Sequence, residues 1–312
     1  LKRWFLKTVD EIQPDILLMN LAYWDHLMDH SRFPSTLRII ESLDLLTLNQ
    51  KYQRALKKFL PRIPVRATEV NESVLEENFF GRFNFQADPE EYRIYDQYDY
   101  TLAISEKEAD LIRKNTRKTK VLFLPMTQEP QNISNCYTGH ALFAAGPNLF
   151  NIQGYLYFVR KVLPQIQSKV SDFSLQVTGR CSRFIYPESG VLVSGFVPDL
   201  KPFYEQARFV VSPLLGGTGQ QVKVVEAMAH GVPVVALKTS SRETLPVQHR
   251  VNGLIATNAR EFADYVIELW RDKQLCSQLG RAAKETIAGG YSRTHLLEGL
   301  SLIKNTAKNQ IL

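Results

Sequence analysis

The sequence predicts an α/β fold built on parallel sheets, and three observations carry that prediction. Short apolar runs of strand character alternate with helical patterns through the first half of the chain. Leu214–Leu237 then reads LLGGTGQQVKVVEAMAHGVPVVAL: a Gly-rich turn, an amphipathic helix and a buried strand in succession. With 312 residues and 44% apolar content, the chain can bury cores for about two domains.

Taken in order, the chain opens at Leu1 inside what reads as a helix already under way, ending near Gln13-Pro14. Strands are expected at Asp15–Asn20, Leu37–Leu43, Tyr100–Ser105 and Val121–Leu124, with helices at Pro89–Gln97 and Glu106–Asn115. A polar stretch of about Thr127–Gly139, containing Pro130, reads as a linker. The expected domains are therefore 1–137 and 138–312. Past the Gly-rich turn, Gly231 stands where a helix C-cap belongs and Pro233 just beyond it, before the apolar Val234-Val235.

Composition narrows the function classes. No uninterrupted apolar run approaches the roughly 20 residues needed to cross a bilayer. Cys136, Cys181 and Cys276 are odd in number, far apart and without CxxC spacing, so neither a disulfide framework nor a zinc site is suggested, and a cytoplasmic setting is expected. The formal net charge of +6 is modest and mixed along the chain, which argues against a nucleic-acid partner. Two basic clusters stand out: Lys51, Arg54, Lys57, Lys58, Arg62 and Arg66, and the run Arg113–Lys120. Both read as solvated surface. The first, interleaved with Leu56, Phe59 and Leu60, also reads as a peripheral contact with an anionic membrane. His26 and His30 have the i, i+4 spacing that could hold a metal with Asp25 or Asp29, but no third ligand converges, and a solvated helix face is the simpler reading. Trp4, Trp24 and Trp270 read as core or interface aromatics.

The Gly-rich segment carries the chemistry. Gly216, Gly217 and Gly219 let backbone N–H groups approach an anion closely, and the first turn of the next helix adds donors and a positive dipole end. Lys223 supplies a full charge. Glu226, three residues on along the same face, could accept hydrogen bonds from both hydroxyls of a ribose. A purely structural turn remains the competing reading. His230, one turn after Glu226, reads as a C-terminal capping cation.

These residues resemble the retaining GT-B glycosyltransferases of family 4 (glycosyl transferases group 1), whose nucleotide-sugar site carries a Gly-rich loop, a Lys and an E-A-x-A-x-G-x-P-V-V run. The resemblance extends from about His140 to about Arg281. ALFAAGPNLFNIQGYLYFVRKVLPQI is similar to the family's opening strand, a small-residue loop with Gly146, Asn148 and Asn151, and first helix. FSLQVTGR resembles the second strand, ending at Gly179, and VLVSGFVPDLKPFYEQARFVVSPL the segment whose Phe196-Val197 backbone lies near the nucleobase. In the first half, YDYTLAISEKEADLI resembles a strand ending in Ser before a Glu-containing helix. Two departures stand out. Thr218 occupies the place of an acid that in relatives holds donor-sugar hydroxyls, and Leu43 the place of a His that often precedes the equivalent of Asp44. Asp44 itself reads either as a site residue or as a helix cap.

The resemblance implies a GT-B fold, two Rossmann-like domains with parallel sheets facing a cleft, the N-terminal one incomplete in this chain because a strand and Gly-rich loop would lie upstream. Residues 292–309 would return toward the N-terminal domain. It also implies metal-independent transfer of a hexose-type unit from a nucleotide diphosphate sugar to a hydroxyl acceptor, with retention and no cofactor. No Asp-x-Asp is present to suggest the metal-dependent GT-A class. The expected catalytic residues are Lys223 and Asp44; the expected donor contacts are Gly146, Asn148, Asn151, Gly179, Phe196, Val197, Gly216, Gly217, Thr218, Gly219, Lys223 and Glu226. A sugar-nucleotide epimerase and a catalytically weak donor-binding subunit are the alternatives.

Overall fold

The computed structural model describes residues 1–238 and 246–311. Its backbone forms two all-parallel sheets. In the first, β1 (Ile16–Asn20), β2 (Leu37–Ser42), β3 (Tyr100–Ala103) and β4 (Lys120–Phe123) pair in chain order. Each expected strand is present, the first three trimmed by a residue or two at an end and the fourth shifted by one residue toward the N-terminus, and the helix Glu106–Asn115 has the expected bounds. The opening helix, Lys2–Ile12, ends at a left-handed Gln13 before Pro14, which cannot continue it.

The second sheet contains β5 (Ala141–Ala144), β6 (Leu175–Thr178), β7 (Val191–Gly195), β8 (Phe209–Ser212), β9 (Val234–Leu237) and β10 (Gly253–Ala256). Their order is β10-β9-β8-β5-β6-β7. Every residue of β5, β8 and β9 is buried, the signature of strands covered on both faces. Connections leave β5 toward β6 on one side and β8 toward β9 on the other. The loops after β5 and β8 therefore part at a topological switch point, where an open α/β sheet offers a crevice beyond its strand ends.

Two features tie the halves together. Residues 67–83, three short 3₁₀ turns, leave the first sheet and bury Val74, Leu75, Phe79 and Phe80 in the same core as Phe150 and Leu156 of the second half. Glu77 accepts from Tyr157 Oη at 2.7 Å and from the Ala259 amide at 3.0 Å. At the other end, the helix Arg293–Ile311 places Ile303 among Leu37, Ile39, Tyr100, Leu102 and Leu124 of the first sheet.

Several sequence expectations change here. The apolar residues of the basic stretch belong to the core: Leu56 and Leu60 are buried, and Phe59 packs edge-on against Phe79 at 5.2 Å. Lys51 is held by Asp88 and the Gln86 carbonyl. Leu56 and Leu60 are therefore not available to a bilayer, although Arg54, Lys57, Lys58 and Arg62 are exposed. Ala22–Leu27 is a 3₁₀ helix that stops before His30, so the two histidines do not share a helical face. His30 instead pairs with Asp25 at 2.8 Å, and no group of three His, Cys, Asp or Glu residues suited to a metal occurs among the described residues. Trp270 is buried as expected, whereas Trp4 is 65% exposed. Among the described residues no helix is long and apolar enough to cross a membrane.

Candidate functional site

The loop after β8 and the helix Val222–Ala229 form one wall of the switch-point crevice. The helix ends as its sequence requires. Gly231 and Val232 donate their amides to the Met228 and Ala227 carbonyls, a Schellman closure, and His230 Nδ1 bonds the Glu226 carbonyl at 2.8 Å while stacking on Tyr204. His230 is therefore a capping residue, in keeping with its position. At the other end of the helix Lys223 projects outward.

A cavity of about 520 Å³ opens at this point, lined by Gly146 and Asn148 from the loop after β5, by Asn151 from the first turn of the helix Leu149–Tyr157, by Thr218, Gly219 and Lys223, and by Asp44 from the loop after β2. A second, of about 190 Å³, is continuous through Gly146 and Lys223 and adds Gly179, Phe196 and Val197. Arg180 lies over the Phe196 ring at 5.1 Å, forming a flat, partly apolar wall. Gly216, Gly217 and Glu226 line neither cavity; Gly217 instead borders a smaller one beside Tyr52 and Glu108. Asn148 and Asn151 are engaged locally: Asn148 Oδ1 caps its helix by accepting from the Asn151 amide, and Asn151 Nδ2 donates to the Gly146 carbonyl.

Lys223 Nζ lies 2.6 Å from Glu226 Oε2, with the lysine side chain 48% exposed and the glutamate 19%. The two groups assigned separately to phosphate and ribose thus neutralise one another in this structure. The Gly-rich loop departs further from a simple anion cradle. The Gly219 amide donates to Glu108 Oε1 at 2.9 Å, so it faces a carboxyl of the helix that follows β3 rather than the cavity. A Cβ on Gly216 would lie 2.1 Å from the Phe80 ring, and one on Gly219, whose φ is +67°, 2.8 Å from the Leu43 carbonyl. Gln220 clasps Met126, donating to its carbonyl and accepting from its amide.

Asp44 is not a helix cap. The helix Leu46–Phe59 has its first amides, those of Leu46 and Thr47, bound by the buried Glu91 carboxylate at 2.7 and 2.9 Å. Asp44 instead turns to the cavity wall. Asn49 Nδ2 donates to Asp44 Oδ2 at 2.5 Å and to Thr218 Oγ1 at 2.7 Å, so Thr218 is read by the opposite sheet. Glu108 hydrogen-bonds Asp44 as well; burial first, and then the Asp44 carboxylate, push it up to about 8. At neutral pH Glu108 keeps its proton.

Sequence reasoning missed Asn49, Phe80 and Glu108. Glu108 carried a signal, since it stands four residues before the buried Ile112 on the inward face of its helix. Phe80 and Asn49 carried none, because nothing local marks a contact with a loop so distant in the chain.

Residues 139–272, the segment holding both cavities' second-half residues, match the family model described as Glycosyl transferases group 1. An uncharacterized 44.6 kDa protein in the cps region of Klebsiella pneumoniae is 24% identical over 197 residues, covering 56% of this chain and 48% of that protein. The chain therefore spans about half the length of this curated relative. Among solved structures, TarM resembles it with a TM-score of 0.68 at 13% identity, over 94% of this chain and 56% of that one. Sucrose-phosphate synthase from Thermosynechococcus elongatus gives 0.67 at 15% identity, covering 98% and 77%. Anabaena Alr3699/HepE, solved in complex with UDP, gives 0.66 at 13% identity, covering 97% and 82%. The chain has the GT-B fold.

Proposed function

We propose that this chain is the core of a metal-independent, retaining family 4 glycosyltransferase that moves a hexose-type unit from a nucleotide diphosphate sugar to a hydroxyl acceptor. The observation that carries the reading is Lys223, on the outward face of a helix that follows a Gly-rich loop, at the mouth of a switch-point cavity within the segment that matches the family model. Residues 1–137 form the acceptor side and 138–312 the donor side. On donor binding the Lys223–Glu226 pair is exchanged for two ligand contacts, the diphosphate taking Lys223 and the ribose diol Glu226. The base lies in the smaller cavity beside Phe196 and Val197, and the sugar in the larger one between Asn148, Thr218 and Asp44.

As the anomeric bond breaks, negative charge grows on the departing diphosphate. Lys223 then strengthens its interaction and stabilises the transition state more than the ground state. The acceptor proton passes to the departing phosphate oxygen, so the reading needs neither a protein nucleophile nor a resident cofactor. The acceptor is a glycan, a lipid-linked carrier or a small molecule, met in the cytoplasm; a polysaccharide or glycolipid pathway suits it, with the exposed Arg54, Lys57, Lys58 and Arg62 available to anionic lipid at the inner face of a membrane. The test is a panel of nucleotide sugars scored by thermal shift, followed by proton NMR of the product's anomeric configuration. No stabilisation by any nucleotide diphosphate would refute the donor site, and inversion would refute retention.

The Asp44–Glu108 carboxyl pair favours one alternative, a sugar-nucleotide epimerase, since Asp44 lines the cavity as a base and Glu108 stands buried behind it as an acid. Incubation with nucleotide sugar alone separates the two, because only the epimerase forms an epimer without acceptor.

A further inference from the structure

The donor reading uses Lys223, Glu226 and the glycines, and leaves a deeply buried acid at the cleft without a task. Glu108 is 3% exposed. Its Oε1 accepts the Gly219 amide from across the cleft and, at 3.4 Å, the amide of Leu45. Its carboxyl also bonds Asp44, which Asn49 links onward to Thr218. Two consecutive residues of the Gly-rich loop are thus held by one network rooted in the opposite sheet.

We propose that Glu108 is a positioning residue: as a carboxylic acid donating to Asp44 and accepting from Gly219, it fixes the Gly-rich loop against the opposite sheet in the arrangement that binds a diphosphate. This proposal rests on the donor-binding reading. A carboxylic acid can donate to one neighbour and accept from another, whereas two facing carboxylates can only repel. The groups that face Glu108 are consistent with this role. Asp44 is its hydrogen-bond partner, Tyr92 and Tyr95 approach from the neighbouring helix with Glu91 behind them, and Tyr52 and Lys107 share a small cavity with it. Of these only Lys107 is cationic, and it is half-exposed. Raising the pH through about 8 ionises Glu108, places two carboxylates in contact and releases the loop.

The experiment measures UDP and uridine affinity by calorimetry from pH 7 to 8.5, below the range in which the uracil ring loses its N3 proton, for wild type, Glu108→Gln and Glu108→Ala. Uridine lacks the phosphates the loop would hold, so it reports on the rest of the site. Wild-type UDP affinity is expected to fall across this range while uridine affinity stays level. Glu108→Gln, which keeps both hydrogen bonds and cannot ionise, holds its UDP affinity throughout. Glu108→Ala loses about three- to tenfold for UDP, the loss of one to two net hydrogen bonds, and nothing for uridine. A Glu108→Gln protein that shows the wild-type fall, or a Glu108→Ala protein weakened equally for both ligands, would overturn the proposal. If wild type binds no UDP, the donor reading fails by itself, and the clamp is then read from thermal unfolding. A midpoint that falls from pH 5 to 8 in wild type and not in Glu108→Gln supports it; parallel curves overturn it.

Discussion

Replacing Lys223 with alanine separates a structural role from a chemical one by magnitude. In the structure the ammonium makes one half-exposed pair with Glu226, three residues along the same helix. Pairs of that kind contribute about 0.2–0.5 kcal/mol, and Val224, Val225, Ala227 and Met228 of that helix are buried without help from Lys223. The unfolding midpoint should therefore move by no more than about 1–2 °C for a chain of this size. If Lys223 meets the charge that develops on a departing diphosphate, its loss removes a preorganised contact worth about 2.7–4 kcal/mol, a ~100- to 1000-fold fall in kcat. The bare Glu226 carboxylate left facing the phosphates adds to the loss. The double variant Lys223→Ala/Glu226→Gln should thus bind UDP more tightly than Lys223→Ala alone. The assay is donor turnover at saturation together with thermal unfolding of the same preparations. Unchanged kcat would refute the assignment, and so would a fall in kcat matched by an equally large loss of stability.

Glu226→Ala should weaken UDP by about 1.5–3 kcal/mol by calorimetry, the range for hydrogen bonds to a charged group, and should leave the affinity for 2′,3′-dideoxy-UDP unchanged. Gly216→Ala puts a methyl into the Phe80 ring and should destabilise by about 1–3 kcal/mol in chemical denaturation; adding Phe80→Leu should return part of that, so the two changes should be non-additive. Stability should depend on pH through Glu108. Its ordinary value is 4.5 and its folded one about 8, so between these the native state holds the extra proton, and stability falls as pH rises across that window, by at most about 1.4 kcal/mol per pH unit. Glu108→Gln should flatten that slope in denaturant titrations. Any binding to anionic vesicles should be purely electrostatic, given the buried Leu56 and Leu60; it should vanish at high salt and on changing Lys57, Lys58 and Arg62 to Gln, as cosedimentation would show.

The parts legible in the sequence were those that local chemistry sets. Strand runs such as Leu37–Ser42, the helix Glu106–Asn115 and the Gly231 closure are each decided by residues within a few positions of one another. The order of the second sheet was not legible, because β5, β8 and β9 are equally apolar and nothing local says that β8 lies beside β5. Residues 67–83 left no period to read, since their 3₁₀ turns are too short to repeat, and nothing local marks Phe79 and Phe80 as crossing to another core. At the site, the loop, Lys223 and Glu226 stood out by spacing, whereas the partner of the Gly219 amide lies 111 residues away. The helix-cap alternative for Asp44 fails for a related reason. The acid that fills that role is Glu91, contributed by a different helix.

The glycines illustrate why the loop cannot be understood from its own side alone. A Gly-rich turn before a helix suggests close approach of an anion, yet Gly216 is required here by the Phe80 ring and Gly219 by the Leu43 carbonyl, both from the first half of the chain. Thr218, where the resemblance leads one to expect an acid, is held by Asn49, whose other proton already serves Asp44. A carboxylate at 218 would be brought beside Asp44 and the Glu108 carboxyl, with a single amide group to separate them. The threonine is therefore coupled to the opposite sheet: a neutral hydroxyl fits a wall that already contains two acids. On the proposed donor reading, selection of the sugar would pass in part to Asp44 and Asn49, which border the same cavity from the other side.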